Sequence, residues 1–237
     1  MTMTLVYGTM SSKGGAGKST IAMTIAGEYA IRDKKVLLVD SDPSRNLEAW
    51  WRKCEQREMQ PENVDFASAL QTKAIEDIIR RKSDYDVIII DTAGRESVVL
   101  TNILNYADVI VTPVQPAPRV FDAMVTAMQI VDEHNAQSQR KVKHFVLRTR
   151  ITAINQKSDD YKNIRGYIER EVQAGRSDSI LLNSELFERN IYKDIEHGFG
   201  TVQMQDLTEP VRKARVEVMA IMAEIERHLS GEEQEAA

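Results

Sequence analysis

Ser12-Lys13-Gly14-Gly15-Ala16-Gly17-Lys18-Ser19-Thr20 packs three glycines, two lysines and a Ser-Thr pair into nine residues. Glycines reach backbone angles closed to other residues, so successive N–H groups can turn inward as a cradle for an anion. A helix beginning directly behind the cradle adds its partial positive charge. In such a loop Gly14, Gly15, Ala16 and Gly17 hold the phosphates of a nucleotide. Lys18 reaches the β- and γ-phosphates, the Ser19 hydroxyl ligates Mg²⁺, and Thr20 stands near the α-phosphate. Lys13 is a second cation at the same loop. Two acidic strings complete the chemistry. Asp40 and Asp42, in Val39-Asp40-Ser41-Asp42-Pro43, are spaced to serve magnesium and a water together. Asp91 ends the apolar run Val87-Ile88-Ile89-Ile90 and is placed to hold Mg²⁺ through water, with the Gly94 N–H as a γ-phosphate sensor. Hydrolysis at such a site rests on positioning and charge stabilisation, with little covalent work for the protein.

These residues need a scaffold that brings separate segments to one edge. The apolar runs Val36–Val39 and Val87–Ile90 read as strands buried on both faces. Thr4–Met10, Asp108–Thr112 and Lys143–Arg148 read as further strands. Lys18–Ile31, Asn46–Met59 and Lys73–Lys82 read as helices. A last helix over Leu207–Leu229 carries an apolar stripe of Val211, Ala214, Val218, Ile221, Met222, Ile225 and Leu229. Strands alternating with helices predict an α/β fold: a mostly parallel twisted sheet with helices on both faces. The acids at strand C-terminal ends stand where open parallel sheets take their ligands.

The chain has 237 residues, 42% hydrophobic and 28% charged, ample for a real core. One domain over residues 1–230 is expected, with a frayed acidic tail over 231–237. The single cysteine, Cys54, excludes an intrachain disulfide or a cysteine zinc cluster. No apolar run reaches the roughly 18 residues that span a bilayer, and no basic segment opens the chain, so a cytoplasmic location is expected. The four histidines show no metal spacing, and Trp50 and Trp51 read as packing. The net charge of −5 argues against nucleic acid as a partner. Locally, though, residues 140–176 hold ten Lys/Arg against four acids.

The ordinary phosphate loop needs glycine where Ser12 stands. The string Lys13-Gly14-Gly15-Ala16-Gly17-Lys18-Ser19 instead resembles the deviant loop of the ParA/MinD superfamily of P-loop ATPases. That resemblance implies that Lys13 reaches across a dimer interface to the other subunit's nucleotide. It implies that Asp42, in an Asp-x-Asp-Pro motif, positions or activates the attacking water, and that Asp40 lies near the metal's hydration shell. The segment Ala107–Pro118 resembles the proline-rich motif of small plasmid-partition ATPases of the ParF kind, which puts Pro116 near the adenine. Leu147-Arg148-Thr149-Arg150 falls where that family contacts the base and is also similar to the VirC proteins of T-DNA borders. Arg148 and Arg150 are its candidates for stacking on adenine.

The resemblance further implies ATP and Mg²⁺ as cofactors, an ATP-dependent homodimer, and slow hydrolysis stimulated by a ParB-like adaptor. It implies nonspecific DNA binding, nucleoid association and the positioning of a cargo such as a plasmid, chromosome or protein cluster. Arg140–Arg176, Arg212-Lys213-Ala214-Arg215 and Lys193 are its candidate DNA surface, whose binding would weaken steeply with salt. The loop begins at residue 11, leaving no room for the N-terminal helix-turn-helix of longer partition ATPases. The acidic end is unlike the basic membrane helix of MinD-type proteins, so no membrane partner is expected. Nitrogenase-type iron proteins need two cysteines per subunit for their cluster. Three other readings stay open. Asp91-Thr92-Ala93-Gly94-Arg95 resembles signal-recognition GTPases, although the guanine-reading Asn-Lys-x-Asp is absent, which favours ATP. A VirC-like accessory of conjugative DNA transfer shares the same chemistry. A metabolic ligase on this scaffold would phosphorylate a small carboxylate.

Overall fold

The computed structural model describes residues 3–93 and 98–231. In chain order the strands are β1 (Leu5–Thr9), β2 (Val36–Ser41), β3 (Val64–Ser68), β4 (Val87–Thr92), β5 (Val109–Val114), β6 (Lys143–Ile151), β7 (Ile180–Leu181) and β8 (Leu186–Phe187). The helices are α1 (Lys18–Ala30), α2 (Asn46–Gln56), α3 (Thr72–Arg80), α4 (Val98–Tyr106), α5 (Pro118–Gln137), α6 (Asp159–Gln173), α7 (Asn190–Glu196) and α8 (Glu209–Ser230). The strands form one parallel sheet in the order β3-β2-β4-β1-β5-β6-β7, with β8 pairing β6.

Every residue of β2, β4 and β5 is buried, as their uninterrupted apolar runs require. The period-two alternation of a strand then sorts side chains between two cores. Val36, Leu38, Val87, Ile89, Val109 and Val111 face a core shared with α1, α2, α7 and α8. Leu37, Val39, Ile88 and Ile90 face the other side, against Ile75 of α3 and Ile103 of α4. Farther along that side, α5 and α6 cover β5 and β6. The expected fold class is therefore the observed one.

Sequence and structure part at the edges. β3, β7 and β8 were not foreseen: β3 is an edge strand with four of its five residues partly or fully exposed, and β7 and β8 are two residues each. α2 stops at Gln56, short of Met59, because Glu58 takes a left-handed φ of 56°. β6 continues past Arg148 to Ile151 through a bulge, where Thr149 and Ile151 pair with the consecutive residues Leu186 and Phe187. The expected stripe of α8 is buried from Val211 to Ile225. The tail beyond Gly231 lies outside the described residues.

Because β1 is central, its C-terminal end opens between β4 and β5. Register does the rest. Asp91 lies opposite Thr9 on one side and opposite Asp40 on the other, so three strands deliver polar groups in one row.

Candidate functional site

The phosphate loop connects β1 to α1. Gly15 and Gly17 have φ of 76° and 106°, and a Cβ at either would meet nothing within 4 Å. Glycine is thus needed for the backbone angle, which turns the amides inward, and not for want of room. Gly17 caps α1 without a side-chain hydrogen bond, leaving the helix's first N–H groups for an anion. The loop is braced from behind. Gln115 Nε2 donates to the carbonyls of Gly15 at 3.1 Å and Ala16 at 3.4 Å, and Thr149 Oγ1 donates to Ala16 at 3.5 Å. Neither brace was foreseen. Gln115 sits inside the proline-rich string, whose prolines drew the attention.

Lys18 is 8% exposed and forms an ion pair of 3.6 Å with Asp42. The general cation and the candidate water-positioning acid therefore already face each other. Asp42 also accepts from the Ser44 N–H at 2.9 Å, which stiffens the turn. Ser19 Oγ donates to Asp91 Oδ2 at 2.5 Å and Thr9 Oγ1 to Oδ1 at 3.0 Å. The hydroxyl and carboxylate expected to share Mg²⁺ are thus in direct contact. Burial pushes the Asp91 carboxyl up to about 6, against the pull of Ser19, Lys18 and Thr9. A carboxylate this costly to ionise gains most from a cation beside it, and the donor set fits magnesium held through water. Gly94 and Arg95 lie outside the described residues.

Asp40 also supports the backbone around it. Its Oδ1 accepts from the Asp42 N–H at 3.0 Å and its Oδ2 from the Glu48 N–H at 2.8 Å. Glu48 is in the first turn of α2, whose cap residue Arg45 supplies no side-chain bond. Asp40 is therefore the remote cap of α2 and the clamp of the Asp42 turn. Both of its oxygens accept from backbone, and each keeps a further lone pair for a water of a metal's hydration shell.

Two cavities flank the loop. The larger, about 900 Å³, is lined by the loop, by Asp42, Asn46, Trp50 and Lys53, and by Arg150 and Glu196. The smaller, about 150 Å³, opens beside Thr20 between Thr149, Arg150, Phe187, Tyr192 and Lys193. Lys13 is exposed, is absent from both linings, and forms no ion pair among the described residues. Trp50 is buried in the core as expected, and Trp51 stacks on Phe66.

The adenine candidates divide. Arg150 is the extra residue of the β6 bulge, with φ of 52°, and it lines both cavities. Bulges re-aim side chains in this way. Arg148 points elsewhere. It is 3% exposed, ion-paired to Glu185 at 2.9 Å, beneath the ring of Tyr161, and donates to the Leu182 carbonyl at 3.2 Å. The Glu185 contact is ionic and too bent for a hydrogen bond at Nε. A guanidinium so enclosed has no face left for a base. Pro116 lines neither cavity.

The basic stretch also breaks up. Arg140 pairs with Asp108, Lys162 with Asp159, Arg165 with Glu169 and Arg176 with Glu171. Arg212 and Lys213 both pair with Glu209. Asp159, Glu169 and Glu171 are already among the four acids of residues 140–176, so only Asp108, and Glu185 on Arg148, reduce the local excess of positive charge.

No described helix is long and apolar enough to cross a membrane. The model of the VirC1 protein family matches residues 3–222. Protein ParA of Rhizobium radiobacter is 31% identical over 186 residues, covering 77% of this chain and 78% of that protein. Among solved structures, the cell division ATPase MinD of Pyrococcus furiosus superposes with a TM-score of 0.68 at 16% identity, over 95% of this chain and 99% of that one. A putative plasmid partition protein of Borrelia burgdorferi, bound to AMPPNP, gives 0.66 at 15% identity over 93% and 99%. With the phosphate loop, its second lysine and the Asp42–Lys18–Asp91 arrangement in place, these matches identify the chain as a member of the VirC1 family of ParA/MinD-type ATPases.

Proposed function

We propose that this protein binds ATP with Mg²⁺, closes into a homodimer around it, and in that state binds DNA without sequence preference to position a cargo. Lys18 and the loop amides hold the phosphates, Ser19 and Asp91 hold the metal, and Asp42 orients the attacking water. Hydrolysis reopens the dimer, and a ParB-like adaptor accelerates that step. The supporting observation is Lys13. A cation on the phosphate loop that is exposed, unpaired among the described residues and absent from its own cavity is suited to a nucleotide held by a second copy. A dimer doubles the cations that one protomer offers DNA, which makes binding depend on ATP. A cytoplasmic, nucleoid-associated location follows from this reading.

The family match favours a second use of the same switch, as an accessory of conjugative DNA transfer. The two differ in partner and in DNA-sequence preference, and not in nucleotide chemistry. The test uses the Asp42→Ala protein, which should retain ATP. Its mass in solution should double with ATP and stay monomeric with ADP. Its retention of a random duplex should appear only with ATP and fall as salt rises. Adding Lys13→Ala should abolish both while leaving ATP affinity equal to that of the parent protein at concentrations too low for it to dimerise. A dimer that survives Lys13→Ala would sink this assignment. Preference for one duplex over random sequence would move the cargo reading to DNA transfer.

A further inference from the structure

Glu196 sets a carboxylate against the end of a loop built to take an anion. It ends α7, lines both cavities, and its Oε1 accepts from Thr20 Oγ1 at 2.9 Å. Thr20 is the last residue of the phosphate loop, in the first turn of α1, where helix and cradle favour an anion. In this structure the anion at that position is the protein's own carboxylate.

The same residue is tied to α2, which follows the Asp42 turn. The Glu196 carbonyl accepts from Lys53 Nζ at 3.4 Å, and the next carbonyl, of His197, accepts from Arg57 Nε at 3.2 Å. Gly198, with φ of 89°, lies so close to α2 that a Cβ would come within 2.3 Å of the Lys53 Cβ. Arg57 covers the ring of Phe199 at 4.5 Å. The segment 196–199 therefore grips α2 along one turn, while Glu196 grips the phosphate loop.

We infer that Glu196 is an anionic gate on the phosphate site. It occupies Thr20 until a phosphate arrives, is expelled by the like charge, and passes that displacement to α2 through Lys53 and Arg57. This rests on the reading of the loop as a nucleotide site and adds a residue that opposes binding and reports it. A carboxylate that must be displaced lowers apparent affinity by whatever its contact is worth, and its removal restores that.

The experiment compares wild type with Glu196→Gln, which can still accept from Thr20 but carries no charge. Affinities for adenosine, ADP and ATP are measured at two salt concentrations. Glu196→Gln should bind ADP and ATP roughly tenfold more tightly, the gain shrinking at high salt, with adenosine unchanged. Hydrogen exchange at residues 53–57 gives the second readout. Wild type should change there on ATP binding, whereas Glu196→Ala should show the altered exchange without nucleotide. Equal or weaker ADP affinity in Glu196→Gln overturns the gate, and so does an equal gain for adenosine. Failure of the wild type to bind any nucleotide would overturn the site reading itself, a result distinct from an unaltered variant.

Discussion

Arg148 and Arg150 are two residues apart on one strand, identical in type and similar in their sequence surroundings. One is enclosed against Glu185 and Tyr161, and the other projects into both cavities from a bulge. The phosphate loop offers a contrast. There Lys13 and Lys18 also share a short segment, and their different fates follow from the loop's own geometry, one facing the cavity and one facing out. At the loop the deciding partners, Asp42 beyond β2 and Asp91 on β4, are distant in sequence but stand in strand-end motifs of their own. At β6 they come from residues 182–185 and from α6, which carry no such motif. A long-range partner can be read from the sequence where it has a motif, and not where it has none.

The sharpest way to test that contrast is Arg148→Ala. It strands Glu185, 8% exposed, with only the Tyr161 hydroxyl and the Gln156 amide, the latter at 3.0 Å, as donors. Removing one partner of a buried ion pair costs about 3–5 kcal/mol, and those donors put this case at the lower end. Denaturant unfolding of the isolated domain should show that loss, and Arg148→Ala with Glu185→Gln should recover more than half of it. A stable Arg148→Ala protein with weakened nucleotide binding would return Arg148 to the adenine site.

Asp91 should move stability the other way. The gap between its usual 3.8 and about 6 is worth about 3 kcal/mol against the charged form. The folded state holds its proton more tightly than the unfolded chain. This contribution to stability is therefore fully present below pH 3.8 and is lost as pH rises through about 6. Asp91→Asn removes the penalty that wild type bears at high pH, less about 1 kcal/mol for whichever hydroxyl, Ser19 or Thr9, loses its acceptor. At pH 8 the nucleotide-free variant should be about 2 kcal/mol more stable than wild type, and the difference should shrink as pH falls and change sign near pH 4, to about 1 kcal/mol in favour of wild type at lower pH. In return, Mg²⁺ should no longer raise its nucleotide affinity. A variant destabilised at pH 8 would mean that Asp91 is held ionised by its neighbours.

The fold was legible because its evidence is redundant. Uninterrupted apolar runs at β2 and β4, alternating with helical stripes, leave few architectures, and the acids then fall at one sheet edge. Asp42, Lys18, Ser19 and Asp91 meet as their motifs implied. Asp40 shows the limit: a strand-end carboxylate reads as a metal-site acid, and its second duty of capping α2 through the Glu48 N–H appears only in the folded chain. Charge counting within a segment misses partners from elsewhere for a related reason. Residues 140–176 are rich in Lys and Arg, yet Arg140 meets Asp108 only in the folded chain. β7 and β8 are too short for any periodicity to register, although β8 builds part of the wall of the cavity that Arg150 lines.

Arg150 carries the smallest of these effects and the clearest division between fold and function. A non-glycine residue at φ 52° pays about 1–2 kcal/mol for its left-handed backbone. Glycine relieves that cost but frees the unfolded chain by about 0.4–1 kcal/mol. Arg150→Gly should therefore be more stable than wild type by about 0.5–1 kcal/mol while binding ATP more weakly. Arg150→Ala keeps the strain and loses the same guanidinium, so its nucleotide affinity should match that of the glycine variant without the gain in stability. Adenosine then separates the two places a guanidinium at this junction can act. If Arg150 stacks on the base, both variants lose adenosine and ATP affinity by equal factors. If it lies against the phosphates, ATP affinity falls with adenosine untouched, and Arg150→Lys restores part of it. Unchanged affinity for every ligand in both variants would leave the bulge as a feature of the β6–β8 pairing alone.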